Sequence, residues 1–213
     1  NNSGIHINLG CIYQDLGNLE KALSSTLKSI ELDPNNPFAY MNIATIYKDI
    51  GDLSKALSFT LKSLELEDNN PNTYINLGAI YQDLGDLENA LSSTLKSIDL
   101  KPNNPNAYLN LGGIYQDFGN IDRAIASYRK AIKLKPNYPE AQKNLSMAEL
   151  LLGNYKSGWE RYEYRFKCKK DKGILDAYPL CEKWNGDSLA VNSKLLLVSE
   201  QGLGDTLQFM RYV

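Results

Sequence analysis

Apolar positions recur along the chain with a helical period, interrupted at regular intervals. In the stretch from Pro37 to Gly51, Ile43, Ile46, Tyr47 and Ile50 stand at i, i+3, i+4 and i+7, one apolar stripe of a helix. Gly51 follows, the residue best suited to the left-handed conformation that ends a helix. Asp52 then suits the N-cap of a second helix carrying Leu53, Ala56, Leu57, Leu61 and Leu64. The same punctuation returns every 34 residues: Tyr13, Tyr47, Tyr81 and Tyr115, and Gly17, Gly51, Gly85, Gly119 and Gly153. Residues 3–36 and 71–104 are identical at 25 of 34 positions. The pattern predicts five helical hairpins, at 3–36, 37–70, 71–104, 105–138 and a degenerate 139–172. Asn18, Asp86 and Asn120 repeat the N-cap, and Pro37, Pro71 and Pro105 suit the first turn of the helices they open. One hairpin cannot bury its apolar face; stacked hairpins bury a continuous one, so the expected fold is all-α and quasi-linear.

One face of each first helix stays polar in register. Asn8, Asn42, Asn76, Asn110 and Asn144 hold the same repeat position, and Asp15, Asp49, Asp83 and Asp117 lie seven residues further on. Seven residues is nearly two turns, so each Asn shares a face with its Asp. Gln14, Lys48, Gln82 and Gln116 flank the aspartates. Asn is a poorer helix former than Ala by several tenths of a kcal/mol, roughly, so its return in mid-helix points to a hydrogen-bonding task. Two tasks fit: bonding to neighbouring helices, or clamping the backbone of an extended peptide with an amide that both donates and accepts.

Composition narrows the chemistry. The chain has 213 residues, 43% of them hydrophobic, and a formal net charge of −2. Neither residues 1–138, with 12 basic and 15 acidic groups, nor 139–213, with 11 and 10, draws nucleic acid by bulk charge. No apolar run reaches the length of roughly 18 residues that a membrane-spanning helix needs. His6 is the only histidine, which removes a histidine-based zinc site or a Ser-His-Asp triad; no metal is expected. Cys11, Cys168 and Cys181 form no CxxC pair, and their odd number argues for a reducing, cytoplasmic setting.

A period of 34 with small residues at Gly10, Ala44, Gly78 and Gly112, tyrosines at Tyr13 and its equivalents, and Pro34, Pro102 and Pro136 near the hairpin ends resembles the tetratricopeptide repeat. The resemblance implies a right-handed superhelix whose first helices line a concave groove that binds proteins or extended peptides. The Asn ladder resembles that of the O-linked N-acetylglucosamine transferases more than it does chaperone-binding arrays. Those grip acidic C-termini with Lys and Arg, where this chain repeats Asp; a neutral or basic peptide is therefore expected.

Beyond Gly153, Tyr155, Trp159, Tyr162 and Phe166 form a thick stripe, followed by six cations and two anions over residues 161–172. Basic and aromatic residues together can contact RNA; at helical spacing they read first as a capping helix that seals the solenoid. Residues 173–193, with Pro179 and Gly186, read as a linker. Residues 194–200 read as a short buried strand, Gln201 to Gly204 as a tight turn, and Asp205 onward as a helix. This α/β stub opens like a doubly wound domain but lacks the dinucleotide fingerprint. Asp205 with Gln208 suits a capping box. Trp184-Asn-Gly186 and the run from Leu195 to Tyr212 are also similar to the junction in bacterial proteins that fuse such repeats to a glycosyltransferase-like domain of the heptosyltransferase type. That resemblance implies a truncated Rossmann-like domain over 194–213, with Asp205 as the acceptor-activating catalytic base. It also implies a parent enzyme that uses a nucleotide sugar, while this segment alone holds no cofactor and is not a complete enzyme. The sequence thus reads as a segment of something longer.

Overall fold

A computed structural model describes residues 2–168 and residue 188. Five hairpins follow one another: α1 (Ser3–Asp15) with α2 (Leu19–Leu32), α3 (Pro37–Ile50) with α4 (Leu53–Leu66), α5 (Pro71–Asp83) with α6 (Leu87–Leu100), α7 (Pro105–Asp117) with α8 (Ile121–Leu134), and α9 (Pro139–Leu151) with the shorter α10 (Tyr155–Tyr162). A 3₁₀ turn, Glu163–Lys167, follows α10, and there is no strand among the described residues. The expected linker 173–193, the α/β stub 194–213 and Asp205 within it lie outside the described residues, Ser188 excepted.

The hairpin turns are built as the sequence dictates. Gly17, Gly51, Gly85, Gly119 and Gly153 all sit in the left-handed region, with φ between 75° and 92°, where a Cβ would be strained. The next residue but one starts the second helix, and Asn18, Asp52, Asp86 and Asn120 each accept a hydrogen bond from the backbone N–H three residues on. Between hairpins the sequence reading missed a second set of caps. Asn36, Asn70 and Asn104 accept from the N–H two residues on, just ahead of the N1 prolines. The prolines mark these helix starts in the sequence, and the structure adds the Asn caps just before them.

Within a hairpin the contact surface is made of small residues. Gly10 lies on Thr26, Gly78 on Thr94 and Gly112 on the ring of Tyr128, each so close that a Cβ on the glycine would overlap its neighbour. Thr26 and Thr60 turn their hydroxyls onto their own helix, Thr26 to the Ala22 carbonyl (2.9 Å) and Thr60 to that of Ala56 (2.8 Å). Larger apolar groups seal one hairpin against the next: Ile46, Ile80 and Ile114 are fully buried. Burial of each such side chain contributes about 1.5–3 kcal/mol.

The stack is asymmetric. Each first helix packs against the next first helix, α1 on α3 through α7 on α9, and each second helix packs against the first helix that follows it. Among the described residues no second helix approaches another second helix. The array therefore curves with its first helices inside and its second helices outside. This is the solenoid the sequence predicts.

The fifth hairpin departs from the pattern. Glu149 stands where the other repeats have Tyr13, Tyr47, Tyr81 and Tyr115, and it is almost wholly buried. Arg129 meets its Oε1 at 3.2 Å, and Arg161 Nε its Oε2 at 3.2 Å, the latter a charge contact rather than an aligned hydrogen bond. Arg161 also donates to the Gln142 side chain at 2.9 Å. Two cations thus tie α8, α9 and α10 through one carboxylate. The expected seal by four aromatics forms only in part: Tyr155 and Trp159 are exposed, and α10 ends at Tyr162. The physical reason lies in Gly158 and Arg161, since the first packs on Leu150 and the second turns to Glu149, so polar contacts anchor the short helix.

Candidate functional site

The inner surface is lined by the first helices, and their polar register faces into it. Four of them, α1, α3, α5 and α7, carry four aspartates and one lysine, Lys48, so this surface is acidic. Between each Asn and Asp stands a small or short side chain, Cys11, Thr45, Ala79 or Gly113, which leaves the middle of the surface low. That geometry suits a chain lying along the solenoid rather than a compact ligand.

The aspartates are tied to the preceding repeat in a regular way. Gln14 Nε2 donates to Asp49 at 2.6 Å, Lys48 pairs with Asp83 at 3.1 Å, and Gln82 Nε2 donates to Asp117 at 2.6 Å. Each link spans adjacent first helices, and the Gln or Lys in each sits one residue before its own repeat's Asp. The sequence showed these residue types side by side; the donor and acceptor across the repeat boundary are visible only in the fold. A carboxylate at a helix C-terminus opposes the helix dipole, and the cross-repeat donor offsets this. Gln116 does otherwise: its Oε1 accepts from the Tyr128 hydroxyl at 3.1 Å.

The asparagines divide into two groups. Asn42 Nδ2 donates to Cys11 Sγ at 3.4 Å, and Asn110 Nδ2 to the Ile75 carbonyl at 3.2 Å. Asn144 lies against the Tyr128 hydroxyl, whose pKa is pushed far above its ordinary value, chiefly by burial and then by the charge of Asp117, with Asn144 opposing. Asn8 and Asn76 have no hydrogen-bond partner among the described residues. Three rungs therefore brace the protein, the first of the two tasks read from the sequence, and two carry a side-chain amide without a partner among the described residues.

The Cys11 thiol is pushed above its ordinary pKa, first by partial burial of the sulfur and then by the charge of Asp15, so it is held as the poorly nucleophilic thiol. No group of His, Cys, Asp and Glu among the described residues is placed to hold a metal ion. No described helix is long and apolar enough to cross a membrane.

This architecture, helical hairpins stacked with an inner polar surface, defines a class of repeat proteins that use the solenoid as a binding scaffold. Family models described as tetratricopeptide repeat match residues 4–36, 26–58, 59–92 and 105–138, and one described as TPR repeat matches 80–119. The chain belongs to the tetratricopeptide repeat family. Its fold is similar to that of a thermophilic tetratricopeptide repeat protein of Thermus thermophilus, with 22% identity over 79% of this chain and 92% of that one and a TM-score of 0.72. It is similar also to a chain in the crystal structure of the APC/C hetero-tetramer Cut9–Hcn1, with 19% identity over 79% of this chain and 34% of that one and a TM-score of 0.74. A third is YrrB, described as a tetratricopeptide repeat protein with an unusual peptide-binding site, at 21% identity over 78% of this chain and 86% of that one, TM-score 0.53. At these identities the likeness shows the fold. No curated protein matches the chain.

Proposed function

We propose that the chain is a protein-binding scaffold whose inner surface holds an extended, neutral or basic peptide. The observation that carries this is the pairing of open amides at Asn8 and Asn76 with an acidic, low-floored surface that the solenoid curves around. An amide can donate to a peptide carbonyl and accept from the next N–H without reading side chains. Four aspartates against the single Lys48 leave this surface with an excess of acidic groups, so cations on the peptide are favoured and acidic termini disfavoured. The finer reading, that this solenoid is the recognition arm of a glycosyltransferase-like protein with Asp205 as base and a nucleotide sugar as donor, is supported by the sequence motif from Trp184 to Tyr212 alone. Neither the family matches nor the structures named above add to it.

The test is fluorescence polarisation with a panel of unstructured ten-residue peptides that differ only in net charge. Basic peptides should bind, more weakly as salt rises, with acidic ones at baseline. Asn8→Ala with Asn76→Ala should weaken binding about tenfold, the loss of one to two hydrogen bonds. Equal binding of acidic and basic peptides, or an unaffected double variant, overturns the proposal.

A further inference from the structure

The second repeat carries a cation site that it fills itself. Lys55 Nζ lies 2.9 Å from the Asp52 carboxylate and 5.0 Å from the centre of the Tyr47 ring, so a carboxylate and an aromatic face share one ammonium. The first and fourth repeats keep the ring and the cation, Lys21 over Tyr13 and Arg123 over Tyr115, each at 5.6 Å, but their caps are the neutral Asn18 and Asn120. The third repeat does the reverse. Tyr81 and Asp86 stand where Tyr47 and Asp52 do, and Asn89 replaces the lysine. Asn89 donates its side-chain amide to Asp86 Oδ2 at 2.7 Å, which occupies one carboxylate oxygen without bringing a positive charge. No cation of the described residues lies over the Tyr81 ring.

The surroundings sharpen this difference. Residues 71–100 hold four acidic groups and one lysine, against three and two in 3–32, three and three in 37–66, and two and four in 105–134. That one cation, Lys96, is seven residues along α6 from Asn89, about 10 Å away. Glu88 is exposed and forms no ion pair among the described residues. Leu84, one turn beyond Tyr81 on the same helix face, is 45% exposed, and its equivalents Ile50 and Phe118 in the adjoining repeats are 47% and 44% exposed. Tyr81 lies about 140° round α5 from Asn76, so this edge is separate from the inner ladder.

We propose that the turn edge of the third hairpin is a docking site for a partner's arginine or lysine that has a large apolar residue beside it. The cation takes the place over Tyr81 that Lys55 takes over Tyr47, its charge faces Asp86 and Glu88, and the apolar neighbour covers Leu84. Charge complementarity selects the occupant, since this is the hairpin with the largest excess of acidic groups over cations apart from its own Lys96. Arginine fits better than lysine, because a guanidinium lies flat on an aromatic ring while its N–H groups reach a carboxylate at its rim.

The probe is the peptide acetyl-Ser-Leu-Arg-Leu-Ser-amide, titrated into the isotope-labelled full chain at low salt with backbone amide shifts as the readout. Shifts should centre on Tyr81, Leu84, Asp86 and Glu88 and weaken as salt rises. The same peptide with glutamine for arginine should bind there about tenfold more weakly, the loss of one cation–π contact and one exposed ion pair together. Asn89→Lys installs the residue that the second repeat already accommodates, so it should fold with an unchanged Tm and abolish the shifts at the turn. Asn89→Gln, which adds length without charge, should leave them in place. Equal binding of the two peptides at the turn overturns the proposal, as do turn shifts that survive Asn89→Lys. Shifts confined to the inner ladder overturn it too, while leaving the peptide-binding reading of that ladder standing.

Discussion

The close contact between Gly112 and Tyr128 yields a substitution pair with opposite signs. A Cβ on Gly112 would overlap one edge of the Tyr128 ring, whose Cε1, Cδ1 and Cζ atoms are its nearest neighbours. That ring is 1% exposed, and its hydroxyl is held by Gln116 at 3.1 Å, so it has nowhere to go. Overpacking of this kind costs about 1–3 kcal/mol, and a strained Tyr128–Gln116 bond adds up to about 1 kcal/mol. Alanine's better helix propensity returns about 1 kcal/mol, which leaves Gly112→Ala destabilised by up to about 3 kcal/mol. At Gly78 the neighbour is the Thr94 hydroxyl with the Ala90 carbonyl at 3.2 Å, and the second repeat already accommodates Ala44 opposite Thr60 at the same positions. Gly78→Ala should therefore be neutral or stabilised by up to about 1 kcal/mol. Since about 1 kcal/mol moves Tm by roughly 2–4 °C at this size, the two variants should melt several degrees apart, on opposite sides of or level with the parent. Repeat arrays can unfold in segments, so hydrogen exchange in α7 and α8 accompanies the melt. Equal Tm values for the two variants would refute the steric argument.

Glu149→Gln keeps volume but removes the carboxylate between Arg129 and Arg161; both arginines reach solvent, so the cost should be about 2–3 kcal/mol, at or below the usual range for a broken buried pair. Limited trypsin digestion should then cut first at Arg161, and an unchanged digestion pattern would show that α10 is held by packing alone. Tyr138, buried and donating to Asn106 at 2.7 Å, has its hydroxyl pKa pushed up to about 12, first by burial and then by the charge of Glu140. The unfolded chain deprotonates first, near pH 10, so Tyr138's contribution is complete below about pH 10 and is lost as pH rises towards 12. Circular dichroism of Tyr138→Phe should show a shallower loss of Tm over that window than the parent; parallel slopes would remove Tyr138 as the cause.

How much was legible follows from what kind of signal each feature leaves. The hairpins, their glycine turns and the Asn18-type caps are local: each depends on one residue type at one offset, repeated until chance is excluded. The Asn and Asp ladders were legible as registers for the same reason. Their partners were not, because Gln14 finds Asp49 only when two first helices lie side by side, and the chain separates the pair by 35 residues. Asn110 bonding to the Ile75 carbonyl rather than waiting for a peptide is likewise a tertiary outcome. Glu149 broke the tyrosine register visibly, yet a lone substitution in a degenerate repeat does not say that two arginines will surround it. The aromatic stripe after Gly153 misled because helical spacing was read as burial, whereas Gly158 and Arg161 set which face of α10 turns inward.

On the proposed function, partners lie along the first helices, on the inside of the curve. Hydrogen exchange of the full chain with and without a saturating basic peptide reads this directly. Binding there should slow exchange in α1, α3, α5 and α7, with α2, α4, α6 and α8 unchanged apart from their ends. Protection confined to the second helices, or to the α10 end, would contradict it.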